Sequence, residues 1–134
     1  MSRTTIVAGV FARGGSKGVP DKNLRIVGGQ SLIQRAVLQA KQSRHVTRVL
    51  CSTDSQRIAD EAARFGAEVP WLRPDELAQD NSREWDSWCH MVRYLREHGD
   101  NPQYLMAVPC VAPLRTLDDL NQCTDLAASS GADV

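Results

Sequence analysis

A chain of 134 residues, 42% hydrophobic and 24% charged, has the composition of one globular domain, long enough to bury roughly two-thirds of the surface that its unfolded form exposes. Its 16 basic and 16 acidic residues cancel, which argues against a nucleic-acid or membrane surface, because either would draw on a basic excess or patch. No run approaches 18 apolar residues and Met1-Ser2-Arg3-Thr4-Thr5-Ile6 carries no apolar stretch with a small-residue cleavage site, so the reading is a protein of the reducing cytoplasm with no membrane segment.

In chain order, Thr5-Ile6-Val7-Ala8-Gly9-Val10 is an apolar run too brief for a helix and predicts a buried strand. A glycine-rich loop, Arg13 to Gly18, follows directly. Beyond a Gly28-Gly29 break, Leu32, Ile33, Ala36, Val37 and Ala40 recur at helical spacing from Ser31 onward. Arg48 to Ser52 predicts the next strand. Ser55 can cap a helix carrying Ile58, Ala62 and Phe65, which Gly66 ends. Ala67 to Trp71 reads as a short edge strand, since Pro70 cannot donate to a central ladder. A polar connection, 73–83, leads to a third helix marked by Trp85, Trp88, Val92 and Leu95 and ended by Gly99 and Pro102. Tyr104 to Val108 predicts a strand, and Leu117, Leu120, Cys123, Thr124 and Ala127 predict a fourth helix. Gly131-Ala132-Asp133-Val134 reads as the opening of a further strand, so the domain is expected to be interrupted at its C-terminus.

Strands alternating with helices predict a mostly parallel sheet covered on both faces. Cys51, Cys89, Cys110 and Cys123 stand far apart and His45, His90 and His98 lack ligand spacing, which predicts buried thiols and no metal cluster of Cys and His. Trp85 and Trp88, three apart on one helical face, predict core positions.

Chemistry concentrates in Ala12-Arg13-Gly14-Gly15-Ser16-Lys17-Gly18, which leaves the first strand where open α/β sheets place their ligand crevice. Glycines let backbone amides approach an anion, and Arg13 and Lys17 add charge-assisted donors worth about 1.5–3 kcal/mol each, so a polyphosphate is the fitting guest. A Walker loop is excluded, because it needs Gly-Lys-Ser/Thr opening a helix and the order here is Gly15-Ser16-Lys17-Gly18-Val19-Pro20. The dinucleotide fingerprint fails as well, with Arg13 where its first glycine would stand.

The stretch from Ala12 through Pro20-Asp21-Lys22-Asn23-Leu24, with Gly28-Gly29 after it, closely resembles the N-terminal signature of the acylneuraminate (sialic acid) cytidylyltransferases. Cys51-Ser52-Thr53-Asp54, Phe65 to Pro70, Arg73 to Asn81, Pro113-Leu114-Arg115 and Ser130 to Asp133 continue that resemblance over essentially the whole chain. It implies a three-layer α/β/α, Rossmann-like, GT-A-like nucleotide-diphospho-sugar transferase fold. It also implies an enzyme that joins CTP to a nine-carbon acid sugar and releases pyrophosphate, with Mg2+ as cofactor and a homodimer as the assembly. Residue by residue, it implies that Arg13, Ser16 and Lys17 hold the triphosphate in the loop of Ala12, Gly14 and Gly15, with Arg13 and Lys17 as the catalytic cations. Lys22 and Asn23 would lie beside the phosphates and ribose, and Arg73 near the cytidine. Gln79, Asp80, Pro109, Val111 and Arg115 would border the sugar.

The sequence departs from that pattern in two places. The family usually reads Leu-Gln-Pro-Thr-Ser-Pro-Leu-Arg where this chain has Val108-Pro109-Cys110-Val111-Ala112-Pro113-Leu114-Arg115. Three hydrogen-bonding side chains are thus replaced near the expected sugar pocket, which keeps other acid sugars open, 3-deoxy-manno-octulosonate or a diamino nonulosonate among them. The family's magnesium-binding carboxylates and its dimer segment lie beyond the point where this chain ends. The resemblance therefore leaves open a non-catalytic nucleotide-binding module or subunit. Asp54 reads more readily as a carboxylate near a helix N-terminus than as a metal ligand; Asp80 has the same two readings, and Glu84 reads as helix first-turn.

Overall fold

The computed structural model describes residues 5–12, 24, 26–72, 84–109 and 116–130. Its strands are β1 (Ile6–Ala12), β2 (Ile26–Val27), β3 (Gln30–Ser31), β4 (Val46–Thr53) and β5 (Tyr104–Pro109). Its helices, in chain order, are α1 (Leu32–Gln42), α2 (Gln56–Arg64), α3 (Glu84–Glu97) and α4 (Leu117–Ser130).

Strands β4, β1 and β5 form a parallel sheet in that order. All seven residues of β1 are buried, because β1 is the central strand and both of its faces are covered; that is why it reads as an unbroken apolar run. Its even-numbered residues Ala8, Val10 and Ala12 face a core built with Leu32, Ile33, Ala36, Val37 and Ala40 of α1 and Ile58 and Ala62 of α2. Val7 and Phe11 face the opposite way and pack with Leu50, Met91 and Leu95, so α3 covers the second face. Helix α4 lies beside α1, where Arg44 and His45 of the α1–β4 turn meet Asp125 at 2.7 and 3.4 Å. The three-layer α/β/α, Rossmann-like arrangement expected from the alternation is the one observed.

Beyond β4 the chain adds a single parallel bridge, Leu50 to Glu68, closed by Cys51 N–H to the Glu68 carbonyl and Glu68 N–H to the Val49 carbonyl, each 2.9 Å. The edge strand expected over 67–71 is therefore reduced to one residue. Pro70 removes the next donor, and Trp71 turns away to meet His90 edge-on and Tyr94 at a tilt. The spatial order Glu68, β4, β1, β5 thus runs outward to one side of β1 and then returns to its other side.

Four local expectations are corrected. Gly28 and Gly29, read as a break before α1, form the turn of the β2–β3 hairpin; both have positive φ (61° and 84°), as a type I′ turn demands. The buried stripe of α3 is Ser87, Met91 and Leu95 instead of Trp85, Trp88 and Val92. Trp85 is 60% exposed and Trp88 is half-buried at the edge of the second core. Of the thiols, Cys51 is buried, Cys89 half-buried and Cys123 exposed, since α4 turns Leu120 and Thr124 inward and Cys123 lies off that face. Cys110 and the strand expected from Gly131 lie outside the described residues. No described helix is long and apolar enough to cross a membrane.

Candidate active site at the carboxyl edge of the sheet

The register of the sheet decides where its strands stop. Ala12 pairs with Thr53 and Phe11 with Pro109, so β1, β4 and β5 end level with one another at the same edge. Residues 13–23 leave from the end of β1 and residues 110–115 from the end of β5 next to it. The order of connections reverses between these two strands, because the chain moves from β1 to β4 and beyond before returning to β5 on the other side. In open α/β sheets a crevice opens at such a reversal, outside the carboxyl ends of the strands.

The segment from Ala12 to Leu24 is anchored at both ends. Ala12 is 4% exposed in the first core, and Leu24 packs against that same core. After Leu24 comes the hairpin, and then Ser31, which is fully buried and caps α1. Its hydroxyl accepts from the Gln34 N–H at 3.0 Å and donates to Glu61 Oε2 at 3.2 Å, fastening the start of α1 to α2. The serine therefore satisfies a helix N–H that would otherwise stay unpaired. At the end of β4, buried Thr53 accepts the Ser55 N–H at 3.2 Å, and the Ser55 hydroxyl caps α2 by accepting from Ile58 N–H at 3.3 Å. Asp54 stands half-exposed between them, just before α2, as the helix-terminus reading expects.

Of the residues singled out from sequence, the structure places Ala12 and the backbone of Pro109 on neighbouring strand ends. Arg13, Gly14, Gly15, Ser16, Lys17, Lys22, Asn23, Arg73, Gln79, Asp80, Val111 and Arg115 lie outside the described residues, as does the side chain of Glu84. The sequence reading missed Thr53 and Ser31 at this edge. The signal for both was a hydroxyl residue beside a helix start.

Two groups of ion pairs belong to the opposite, amino end of the sheet. Arg48, near the start of β4, holds Glu68 through Nε and Nη2 at 2.9 and 2.8 Å and Asp100 through Nη1 at 2.7 Å. The hydrogen bond from Arg48 holds the Glu68 carboxyl below its ordinary pKa, while Glu68 and Asp100 raise the guanidinium. Arg44 and Asp125 form a second, exposed pair there, the arginine raised and the carboxyl lowered chiefly by their mutual hydrogen bond. These charges tie turns together and face away from the carboxyl edge. Among the described residues, no three His, Cys, Asp or Glu side chains converge on a position for a metal ion. A cavity of about 820 Å³ lies elsewhere, along the outer side of β5, between Tyr104 and Leu105 and the Trp85, Trp88 and Val92 face of α3.

Residues 7–105 match the family described as Cytidylyltransferase. The CMP-N,N'-diacetyllegionaminic acid synthase of Legionella pneumophila is 47% identical over 77 residues, 58% of this chain and 33% of that protein. N-acylneuraminate cytidylyltransferase A of Danio rerio is 34% identical over 128 residues, 96% of this chain and 29% of that protein. A solved structure of CMP:2-keto-3-deoxy-manno-octonic acid synthetase complexed with CTP superposes with a TM-score of 0.74 at 21% identity, over 96% of this chain and 49% of that one, a likeness of fold. The chain thus spans half or less of the length of these proteins.

Proposed function

The chain belongs to the cytidylyltransferase family, and from that premise we propose that it is the nucleotide-binding part of an enzyme that transfers CMP from CTP to an acid sugar of the acylneuraminate type. The observation that carries the reading is positional. The glycine and cation segment 13–18 leaves the central strand at the one place in the described sheet where the order of connections reverses, next to the end of β5.

In this reaction an oxygen of the sugar's anomeric hydroxyl forms a bond to the α-phosphorus of CTP. The bond from that phosphorus to the bridging oxygen of the β-phosphate breaks, pyrophosphate leaves, and the hydroxyl proton passes to solvent. Negative charge gathers on the α-phosphoryl oxygens during the exchange, and fixed cations lower the barrier because they need no reorganisation as it develops. Arg13 and Lys17 are assigned that role, with Ser16 and the amides of Gly14 and Gly15 completing the cradle. Lys22 and Asn23 are assigned to the phosphates and ribose, and Arg73 to the cytosine. The sugar is assigned to the β5 side, with Val111 and Arg115 following Pro109, and Gln79 and Asp80 contributed by the connection before α3.

Magnesium would supply charge neutralisation on the phosphates. By the resemblance its ligands are assigned mainly to sequence beyond Val134, together with the contacts of a homodimer. The setting in this reading is the reducing cytoplasm, in keeping with the free thiols of Cys51, Cys89 and Cys123. A diamino nonulosonate is the second substrate reading. It is favoured by the 47% identity to the Legionella pneumophila synthase and by the loss of hydroxyl-bearing side chains at Val111 and Ala112.

Calorimetric titration with CTP, ATP, GTP and UTP tests the nucleotide, and CTP is expected to bind most tightly; equal affinities would leave only a general triphosphate cradle. Pyrophosphate release is then followed with magnesium and a panel of acid sugars. Residues 1–134 alone are expected to bind CTP with little or no turnover. Robust synthesis of a CMP-sugar by this chain would instead put a carboxylate such as Asp54 or Asp80 at the metal.

A further inference from the structure

Trp85 and Leu126 are 60% and 64% exposed, and each stands on a helix face with a charged end. On α3, Trp85, Trp88, Cys89 and Val92 form the apolar wall of the cavity beside β5, and the exposed Arg93 and Arg96 close its other end next to Glu97. On α4, Cys123 and Leu126 are exposed together with Asp118 and Asp119 of the first turn. The sequence of α4, LDDLNQCTDLAASS, holds three aspartates and no lysine or arginine. Asp125 is taken up by Arg44 and His45. Asp118 accepts from Gln122 Nε2 and Asp119 from the Thr116 N–H, each at 2.8 Å; both donors are neutral, so the start of α4 keeps its negative charge.

The two faces match in spacing as well as in sign. Seven residues separate Cys89 from Arg96 on α3 and Asp119 from Leu126 on α4, two helical turns or about 10 Å in each case. Laid antiparallel, α4 sets Asp119 against Arg96, Cys123 against Val92 and Leu126 against Cys89 and the Trp88 ring. The same order puts the N-terminal end of one helix dipole beside the C-terminal end of the other, which is the favourable arrangement. One chain cannot make this contact with itself, because α3 covers one face of the sheet and α4 lies beside α1 on the other. The faces nevertheless flank the same side of β5: Tyr104 lines the cavity, and its hydroxyl donates to the Ala127 carbonyl of α4 at 3.4 Å. A two-fold axis on that side brings each cavity to the other copy's helix. We propose that a second copy of this chain occupies the cavity, with α4 of each copy lying antiparallel between α3 and β5 of the other, in a dimer of two equivalent contacts. Tryptophan and arginine, which dominate the wall, are the side chains that carry most of the energy of such interfaces. The contact is separate from those assigned to sequence beyond Val134 and does not depend on the nucleotide reading.

Sedimentation equilibrium of the 134-residue chain tests the proposal, and a concentration-dependent equilibrium between monomer and dimer is expected. Arg96→Glu sets a carboxylate against Asp119, and Asp119→Lys sets an ammonium against Arg96; each should weaken the dimer by about tenfold or more. The double variant re-forms the pair in reverse and should recover to within about threefold of the unmodified chain, the non-additivity expected of residues in contact. Circular dichroism checks that each variant is folded. Should Asp119→Lys melt α4, whose first turn it caps, Asp118→Lys takes its place with the same expected loss and recovery. A short bismaleimide should join Cys89 of one copy to Cys123 of the other, in a product found by peptide mapping and lost in Cys123→Ser. A chain that stays monomeric at millimolar concentration overturns the proposal. So does a dimer indifferent to the charge reversals, a peptide map without the Cys89–Cys123 link, or a series of species that grows past the dimer, which would mean a head-to-tail contact that does not close.

Discussion

Replacing Arg48 by methionine tests whether the amino-end ion cluster holds the sheet together. Methionine keeps an unbranched aliphatic stem and removes the guanidinium. Three contacts are lost: two to Glu68 at 2.9 and 2.8 Å and one to Asp100 at 2.7 Å. The side chains of Arg48, Glu68 and Asp100 are 31%, 50% and 31% exposed, so water screens the cluster and rehydrates the abandoned carboxylates. Exposed pairs contribute about 0.2–1 kcal/mol each, and paired geometry within a network lies at the upper end, which sets the expected loss at about 1.5 kcal/mol. For a domain of this size that corresponds to a fall in Tm of about 5 °C.

The pH dependence follows from Glu68, whose carboxyl is held below its ordinary value of 4.5. A carboxyl depressed on folding contributes stability that is fully present above its unfolded pKa and is lost as pH falls through its folded pKa. The raised Arg48 guanidinium stays charged over this whole range. The gap between the unmodified chain and the variant, measured by urea denaturation at a series of pH values, should therefore be flat from pH 7 down to about pH 5 and then close as the medium turns more acid. A gap that does not change with pH would refute the assignment to the Glu68 pair. A loss above about 3 kcal/mol would show that a carboxylate is left buried instead of rehydrated.

Ser31→Ala removes the cap of α1 and the hydrogen bond to Glu61 together, an expected loss of about 2 kcal/mol in urea denaturation. Ile33→Ala empties a fully buried site between α1 and the sheet and should cost about 3 kcal/mol with no change in denaturant slope. Lys17→Ala should weaken CTP by about 1.5–3 kcal/mol in calorimetry while leaving Tm within about 2 °C, because a lost charge-assisted bond to ligand does not disturb the core.

The candidate site was legible in sequence to an uneven degree. The glycines and cations interleaved over residues 12–18 after an apolar strand carry the expectation of a polyphosphate cradle, and beyond Ala12 that expectation lies outside the described residues. Its neighbours were not legible. That the end of β5 lies beside the end of β1 follows from the strand order, which long-range burial selects and which no local pattern carries.

Periodicity determined what was local: the apolar run of β1, the 3.6-residue repeat of α1, the capping serine of α2 and the glycine that ends it. Each depends on residues within one or two turns of one another, where propensity and side-chain direction act. The tertiary structure decided the rest. It chose Ser87, Met91 and Leu95 as the inner stripe of α3 and left Trp85 60% exposed, because which of two adjacent helical faces turns inward depends on the sheet it meets. It turned Gly28-Gly29 into a hairpin whose strands are two residues long, too short for alternation to register. It also gave Gly9 its meaning, since the sequence records only the missing side chain, while the Phe11 ring and the Met91 sulfur that fill its space arrive from further along the strand and from a helix some eighty residues away.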